Sequence, residues 1–430
     1  MWDTFVRKVR LIFEDETLRT RMLFVLAALV VFRLLAAIPI PGINAGQLET
    51  LLNGNQFLGL LNVFTGGGFS NFSIVMLGVG PYITASIVMQ LMTILIPKLK
   101  EMYQEEGDAG RQRFMQYSRY LTVPLAFIQA FGFLLLLRQQ GVLPALDLQS
   151  TIVNMTVIAA GSLLLMWLGE LITEFGVGNG VSLIIFAGIV ARIPRDIAQF
   201  AFSFDVTQVP AYAGFLVAAL VIVAGVVYIT EAERPIPVTY ARRVRGMKVL
   251  GGISTYLPLR VNQAGVIPIV FALSILLFPQ MIATFLSHSG IAAIASAAQL
   301  VVNALANQWV YGGLYFAFVV IFTYFYTAIT FEPHQIAKNL QKNGAFIPGV
   351  RPGRETAEML QKTSTRLNLW GGVFLGIVAI IPLIFTKYSP LASQDLILSG
   401  SGLIIIVGVV LELIRQVNAQ LLVHDYEKLV

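Results

Sequence analysis

The sequence predicts an all-α polytopic membrane protein, with ten transmembrane helices and both chain ends on the cytoplasmic side. Three observations carry this. Of 430 residues, 57% are hydrophobic and 12% charged, about half the charge of an ordinary soluble domain, and mean hydropathy is +0.77. Such a balance cannot clothe a water-facing surface. Apolar runs near the roughly 20 residues that cross a bilayer as a helix recur along the chain. Finally, the cations sort to alternate gaps between those runs.

Residues 1–20 set Trp2, Phe5, Val6, Val9, Ile12 and Phe13 at helical spacing among charged residues. That reads as an amphipathic helix on the membrane surface, against the alternative of a charged tail. The spans follow at 21–40, 71–96, 120–137, 151–172, 181–202, 211–230, 264–286, 309–330, 367–386 and 398–420. The fifth is weak, because Arg192, Pro194, Arg195 and Asp196 interrupt it. Charge placement decides in its favour. With ten spans, and with the cations toward span ends (Arg21, Arg192, Arg195, Arg415) assigned to the side they adjoin, one side holds 24 of the 29 Lys and Arg and the other four, while Arg33 lies inside span one. Dropping the fifth span would throw both six-cation gaps, 231–263 and 331–366, to the outer side.

Between spans one and two lies "QFLGLLNVFTGGGFSNFS" (56–73), in an outer gap without Lys or Arg. It is apolar, yet Gly66, Gly67 and Gly68 make a poor helix interior. Residues 57–65 could form a helix of roughly 14 Å, about half the hydrocarbon core. Two readings stand: a re-entrant half-helix within a cavity, since irregular backbone at membrane depth needs protein or water around it, or an interfacial loop.

No catalytic chemistry is visible. There are no cysteines, and His288, His334 and His424 show no metal-ligand spacing. A phosphate loop, a zinc-protease helix and a nucleophile elbow are all missing. Catalytic residues, metal ligands and cofactors are therefore expected to be none. Glu170 and Glu174 share a helix face and are expected to be solvated helix-end residues rather than a proton site. Glu412 and Arg415, three apart in the last span, can satisfy one another, and Arg33 can fix helix packing. Gln90, Gln129 and Asn262 are amides within spans. They read as interhelical glue or as a polar seam that can part.

The two large cation-rich gaps carry the remaining signal. In 232–261 a hairpin-like finger is expected, since apolar and polar residues alternate around Val238 before a basic turn. In 332–366, prolines and glycines shape a turn around Arg351. Such loops suit RNA phosphate or an acidic protein surface. Simple anchoring by positive charge accounts for their cations but not for their shape.

Long motifs in order, "FRLLAAIPIPGIN" (32–44), "GVGPYITASIVMQLM" (78–92), "MWLGELITEFGVGNGVSLIIFAGI" (166–189), "LPLRVNQAGVIP" (257–268) and "NLQKNGAFIPGVRPGRET" (339–356), resemble the SecY family, the channel subunit of the bacterial protein translocon. The resemblance covers nearly the whole chain. It implies two pseudo-symmetric, inverted halves of five spans, 1–205 and 206–430, around a central hourglass pore. It implies that the re-entrant stretch, 57–70, is a plug, with Phe57, Leu60, Leu61, Phe64, Gly66, Gly67 and Gly68. A pore ring maps to Val79, Ile83, Val181, Ile185, Val270 and Ile405, half of them valine. The lateral gate, between spans two and three on one side and seven and eight on the other, maps to Gln90, Gln129 and Asn262. Docking of a ribosome or a SecA motor maps to Arg242, Arg243, Arg245, Lys248, Arg351 and Arg354. A family Arg-Arg pair stands here as Met247-Lys248.

The resemblance further implies a protein-conducting channel of the bacterial cytoplasmic membrane, not an enzyme. Its partners would be SecE-like and SecG-like small subunits, the SecA ATPase, the ribosome, signal sequences and nascent chains, and the lipid bilayer. The alternative from another class is a secondary transporter with inverted repeats. It would need ion-coupling carboxylates at the midplane.

Overall fold

The computed structural model describes residues 15–40, 68, 72–139, 147–202, 206–240, 243–245, 248–250, 254–287, 291–388 and 400–427. In chain order its elements are α1 (Glu16–Ala37), α2 (Gly80–Leu95), α3 (Pro97–Gln104), α4 (Gly107–Gln139), α5 (Leu148–Phe175), α6 (Gly180–Val190), α7 (Ile193–Phe202), α8 (Val209–Glu231), β1 (Glu233–Tyr240), β2 (Arg243–Arg245), β3 (Lys248–Leu250) and β4 (Ser254–Arg260). There follow α9 (Ile267–Leu286), α10 (Ala292–Ala306), α11 (Gln308–Thr330), α12 (Pro333–Lys342), β5 (Ala345–Phe346), α13 (Arg354–Tyr388) and α14 (Gly400–Glu427).

All ten expected spans contain helix. Among the described residues seven helices are long and apolar enough to cross a membrane, and α2 with α3 forms an eighth candidate bent by 112°. Pro97 explains the bend: it lacks the N–H that would continue α2 and sits in the first turn of α3. Leu23, Leu26, Val30 and Leu34 are exposed along α1, as are Leu216, Val217, Leu220 and Val221 along α8, which suits lipid rather than water.

The structure departs from the expected spans in three places. First, the second span was expected from residue 71, but α2 starts at Gly80 and residues 74–79 form turns. The entrance is nonetheless buried: Phe72, Ser73, Val75 and Met76 are almost inaccessible. Its backbone is satisfied locally. Ile40 N–H donates to the Phe72 carbonyl, Ile74 N–H to the Ile38 carbonyl, and Ser73 N–H to the Gly68 carbonyl. Phe72 holds φ 45°, a conformation uncommon outside glycine. On α5, Gly161 lets this turn approach, because a Cβ there would overlap the Ile74 carbonyl, and Ser162 donates to the Gly78 carbonyl. Irregular backbone at membrane depth is thus tolerated because protein encloses it.

Second, the weak fifth span is broken into α6 and α7 at Ala191–Arg192. The start of α6 is well built. Asn179 accepts from Ser182 N–H at 3.1 Å, and Thr173 accepts from Gly180 N–H at 2.9 Å. Third, residues 16–20 are not part of a separate surface helix but the first turns of α1. Asp15 caps it, accepting from Thr17 and Leu18 N–H; residues 1–14 of the expected amphipathic helix lie outside the described residues.

Two compact units are present, one of Met1–Ala211, Ser274–Asn307 and Thr386–Val430, the other of Tyr212–Leu273 and Gln308–Phe385. The first contains α1 to α7, α10 and α14, with the later part of α9. Its α5 and α6 meet at two glycines, since a Cβ on Gly180 would overlap the Gly169 carbonyl.

The second unit contains the expected finger as a β-hairpin and adds an unexpected element. Strand β1 pairs antiparallel with β4 from Glu233↔Arg260 to Thr239↔Ser254. Strand β5, from the other loop, joins the far edge of β1 at Thr239↔Phe346 and Tyr240↔Ala345. Pro235 and Pro237 remove donors from β1, and β5 joins only beyond them. The buried side chains Ile236, Val238, Leu259, Ala345, Ile347 and Leu360 form one core beneath this sheet. The two loops are therefore a single folded body.

Candidate functional site

The expected ring residues sit near helix beginnings. Val79 is the N-cap of α2 and Ile83 lies in its first turn. Val181 and Ile185 lie in the first turns of α6, Val270 is the fourth residue of α9 and Ile405 the sixth of α14. All are buried except Val181, which is partly exposed and has one γ-methyl against Gly169 of α5. Val79, Ile83, Val181, Ile185 and Ile405 belong to the first unit, and Val270 to the second. Of the expected plug, only Gly68 is described: it is buried, and its carbonyl accepts from both the N–H and the hydroxyl of Ser73. Phe57, Leu60, Leu61, Phe64, Gly66 and Gly67 lie outside the described residues.

The span amides are buried or partly buried. Gln129 on α4 donates to the Thr84 hydroxyl on α2 at 3.4 Å, and Gln90 on α2 donates to Ser86 one turn back at 3.3 Å. Asn262, in the second unit, donates to the Gly265 carbonyl at 3.2 Å. The Gln129–Thr84 bond marks the edge of a cavity of about 900 Å³ within the first unit. Its walls include Thr84 and Ile87 of α2, Leu125 of α4, Ser274 and Pro279 of α9, and Val301 of α10. They are almost wholly apolar, a surface that a water-soluble ligand would not wet. Sequence reading missed the α10 wall. The apolar run in 292–306 is only 15 residues long, too short to be read as a span.

Glu170 corrects an expectation. It is partly buried and paired: it accepts from Arg119 Nε on α4 at 2.6 Å, with Glu170 20% and Arg119 42% exposed. Glu174 is exposed, as expected. The bond ties α4, the helix that carries Gln129, to α5. The partner lies 51 residues away, beyond any local pattern.

The cations expected to serve docking fall in the two loops. In the ribbon β2–β3, Arg245 stands opposite Lys248 and Arg243 opposite Leu250; Arg242 lies outside the described residues. Arg351 and Arg354 are 87% and 88% exposed, each against a carboxylate one turn on, Glu355 at 3.8 Å and Glu358 at 2.9 Å.

The SecY family model matches residues 73–414. The protein translocase subunit SecY of Mycobacterium bovis is 38% identical over 445 residues, covering 99% of each chain. A solved protein-conducting channel matches 94% of this chain and 93% of its own at TM-score 0.66 and 18% identity. Sec61 in the canine ribosome–channel complex from the endoplasmic reticulum matches with the same coverage at TM-score 0.62 and 17% identity. At those identities the two structures speak for the fold.

Proposed function

The chain belongs to the SecY family, and from that premise we propose that it is the channel-forming subunit of a bacterial Sec translocon. It passes unfolded secretory proteins across the cytoplasmic membrane and releases transmembrane segments sideways into lipid. The observation that carries this is the relationship to translocase subunits over 99% of the chain. Halves 1–205 and 206–430 are proposed to form the two sides of the channel, with both termini cytoplasmic.

Val79, Ile83, Val181, Ile185, Val270 and Ile405 are proposed as an apolar ring that dewets at rest and closes around a passing chain without sequence preference. Residues 57–70 are proposed as the plug. The seam of Gln90, Gln129 and Asn262 would part to admit a signal sequence, and the apolar cavity at Gln129–Thr84 supports that reading. The channel carries no energy source of its own. A ribosome or SecA-like ATPase is proposed to dock on the cations Arg242, Arg243, Arg245, Lys248, Arg351 and Arg354, with SecE-like and SecG-like subunits completing the assembly. The transporter alternative is not favoured, because the relatives are translocase subunits.

The cysteine-free sequence makes the test direct. One cysteine at Ile83 and one in the mature part of a stalled secretory chain should form a disulfide that depends on the signal sequence. Failure there and at Ile185, while translocation proceeds, refutes the ring. Failure of any secretory chain to engage refutes the channel. In a plug-deleted background, Val79→Ile with Val270→Ile should lower resting ion conductance; unchanged conductance would mean the smaller side chains do not matter.

A further inference from the structure

The strand β4 leaves the loop sheet at Arg260 and becomes α9 at Ile267. The intervening residues 261–263 lie against one face of α13. Ser364, Asn368 and Gly371 are spaced four and three apart, so they share that face. Gly371 is there because a Cβ would press on the Val261 carbonyl, 2.5 Å away. Ser364 donates to Gln263 Oε1, and Asn368 Nδ2 donates to the Ser364 hydroxyl, both at 3.4 Å. Asn262 Nδ2 donates to the Gly265 carbonyl. These bonds orient all three amides.

They also leave three atoms over. Asn262 Oδ1, Gln263 Nε2 and Asn368 Oδ1 are buried and have no hydrogen-bond partner among the described residues. Asn262 and Asn368 are each 4% exposed. Buried amide atoms in native proteins are almost always satisfied. Here Gln263, itself partly buried, lies four residues before the start of α9, and its Nε2 is shut off from solvent with the other two atoms.

We propose that this joint between β4 and α9 encloses a binding site for a single water molecule, held by Asn262, Gln263 and Asn368. The leftover set is two acceptors and one donor. A water molecule donates twice and accepts once, which matches all three. Buried waters typically make about three such bonds to otherwise unsatisfied groups. An ion fits less well: a cation would meet the Gln263 N–H and an anion two carbonyl oxygens. The 3.4 Å bonds through Ser364 are long, so the amides have not closed on one another. The water would pin the start of α9 to α13 through bonds that exchange as the joint moves, where direct side-chain bonds would have to break.

The test is a map of the assembled channel in lipid nanodiscs, without a translocating chain, at a resolution that shows ordered water. A solvent peak within hydrogen-bond distance of Asn262 Oδ1, Gln263 Nε2 and Asn368 Oδ1 is expected. Asn368→Leu should abolish the peak and lower the melting temperature, while Asn368→Ser, which supplies a hydroxyl acceptor in place of the amide oxygen, should retain the peak. Amides bonded directly to one another in the wild-type map would overturn the proposal. So would a lipid tail, a side chain or extended polypeptide in that place. The wild-type map alone decides the matter if a variant fails to fold.

Discussion

Replacing Leu360 with alanine tests whether the two loops form one body. Leu360 is fully buried in the core beneath the sheet, with Met359 and Leu367 of α13 packed against it. Truncating such a leucine costs about 2–5 kcal/mol. The core lies under a small sheet that water can reach as it loosens, so the lower part of that range applies, about 2–3 kcal/mol. At about 1.4 kcal/mol per tenfold, that is a roughly 30- to 150-fold rise in the open population. Strand β5 contributes only two residue pairs to β1 and cannot stay in place without the core. Hydrogen exchange on the intact protein should therefore show amides of 255–259 and 345–347 losing protection together, by that factor. If protection falls only near α13 while the β1–β4 hairpin keeps its own, the loops are independent modules and the shared core is energetically empty.

Further predictions follow from individual contacts. Arg119→Ala should cost about 1.5 kcal/mol, the lower figure for a charge-assisted bond with one partner half in solvent. Arg119→Glu should be rescued by Glu170→Arg in thermal melting, and a coupling indistinguishable from zero would show that the pair does not hold α4 to α5. Gly180→Ala should destabilise by about 1–3 kcal/mol, because its Cβ would strike the backbone of Gly169. Gly169→Ala should cost less, because its Cβ comes no nearer than 3.2 Å to the Val181 methyl and 3.4 Å to the Ile184 methyl and the Val181 backbone nitrogen; equal melting temperatures for the two variants would contradict the contact. Arg351→Glu should leave stability within about 0.5 kcal/mol, since exposed i, i+4 pairs contribute little. It should weaken ribosome or motor binding most at low salt, and unchanged binding across a salt series would remove Arg351 from the docking surface.

Much of the architecture was legible because membrane insertion is governed by local quantities. Whether a 20-residue stretch is apolar enough to span, and which gap holds the cations, depends on residues next to one another in the chain. That is why ten helical positions and the finger in 232–261 could be read directly, and why the long motifs led to the right family. The second span shows the limit of this reading. Hydropathy runs on through 71–79, but the backbone of 74–79 is in turns and meets Gly161 and Ser162 of α5. The glycines and proline of "GVGP" were the available signal, and apolarity outweighed it.

What only the tertiary structure decided are the pairings between distant residues. Nothing near Glu170 announces Arg119, 51 positions away. Nothing in the finger announces that β5 will complete its sheet, or that Ser364 will meet Gln263 across 101 residues of chain. Composition selects the solvent and the period of each segment, since both are sums over neighbours. Partners for buried polar groups and strand edges are chosen by packing, because each group accepts whatever the fold brings within about 3 Å, and that depends on the whole chain at once.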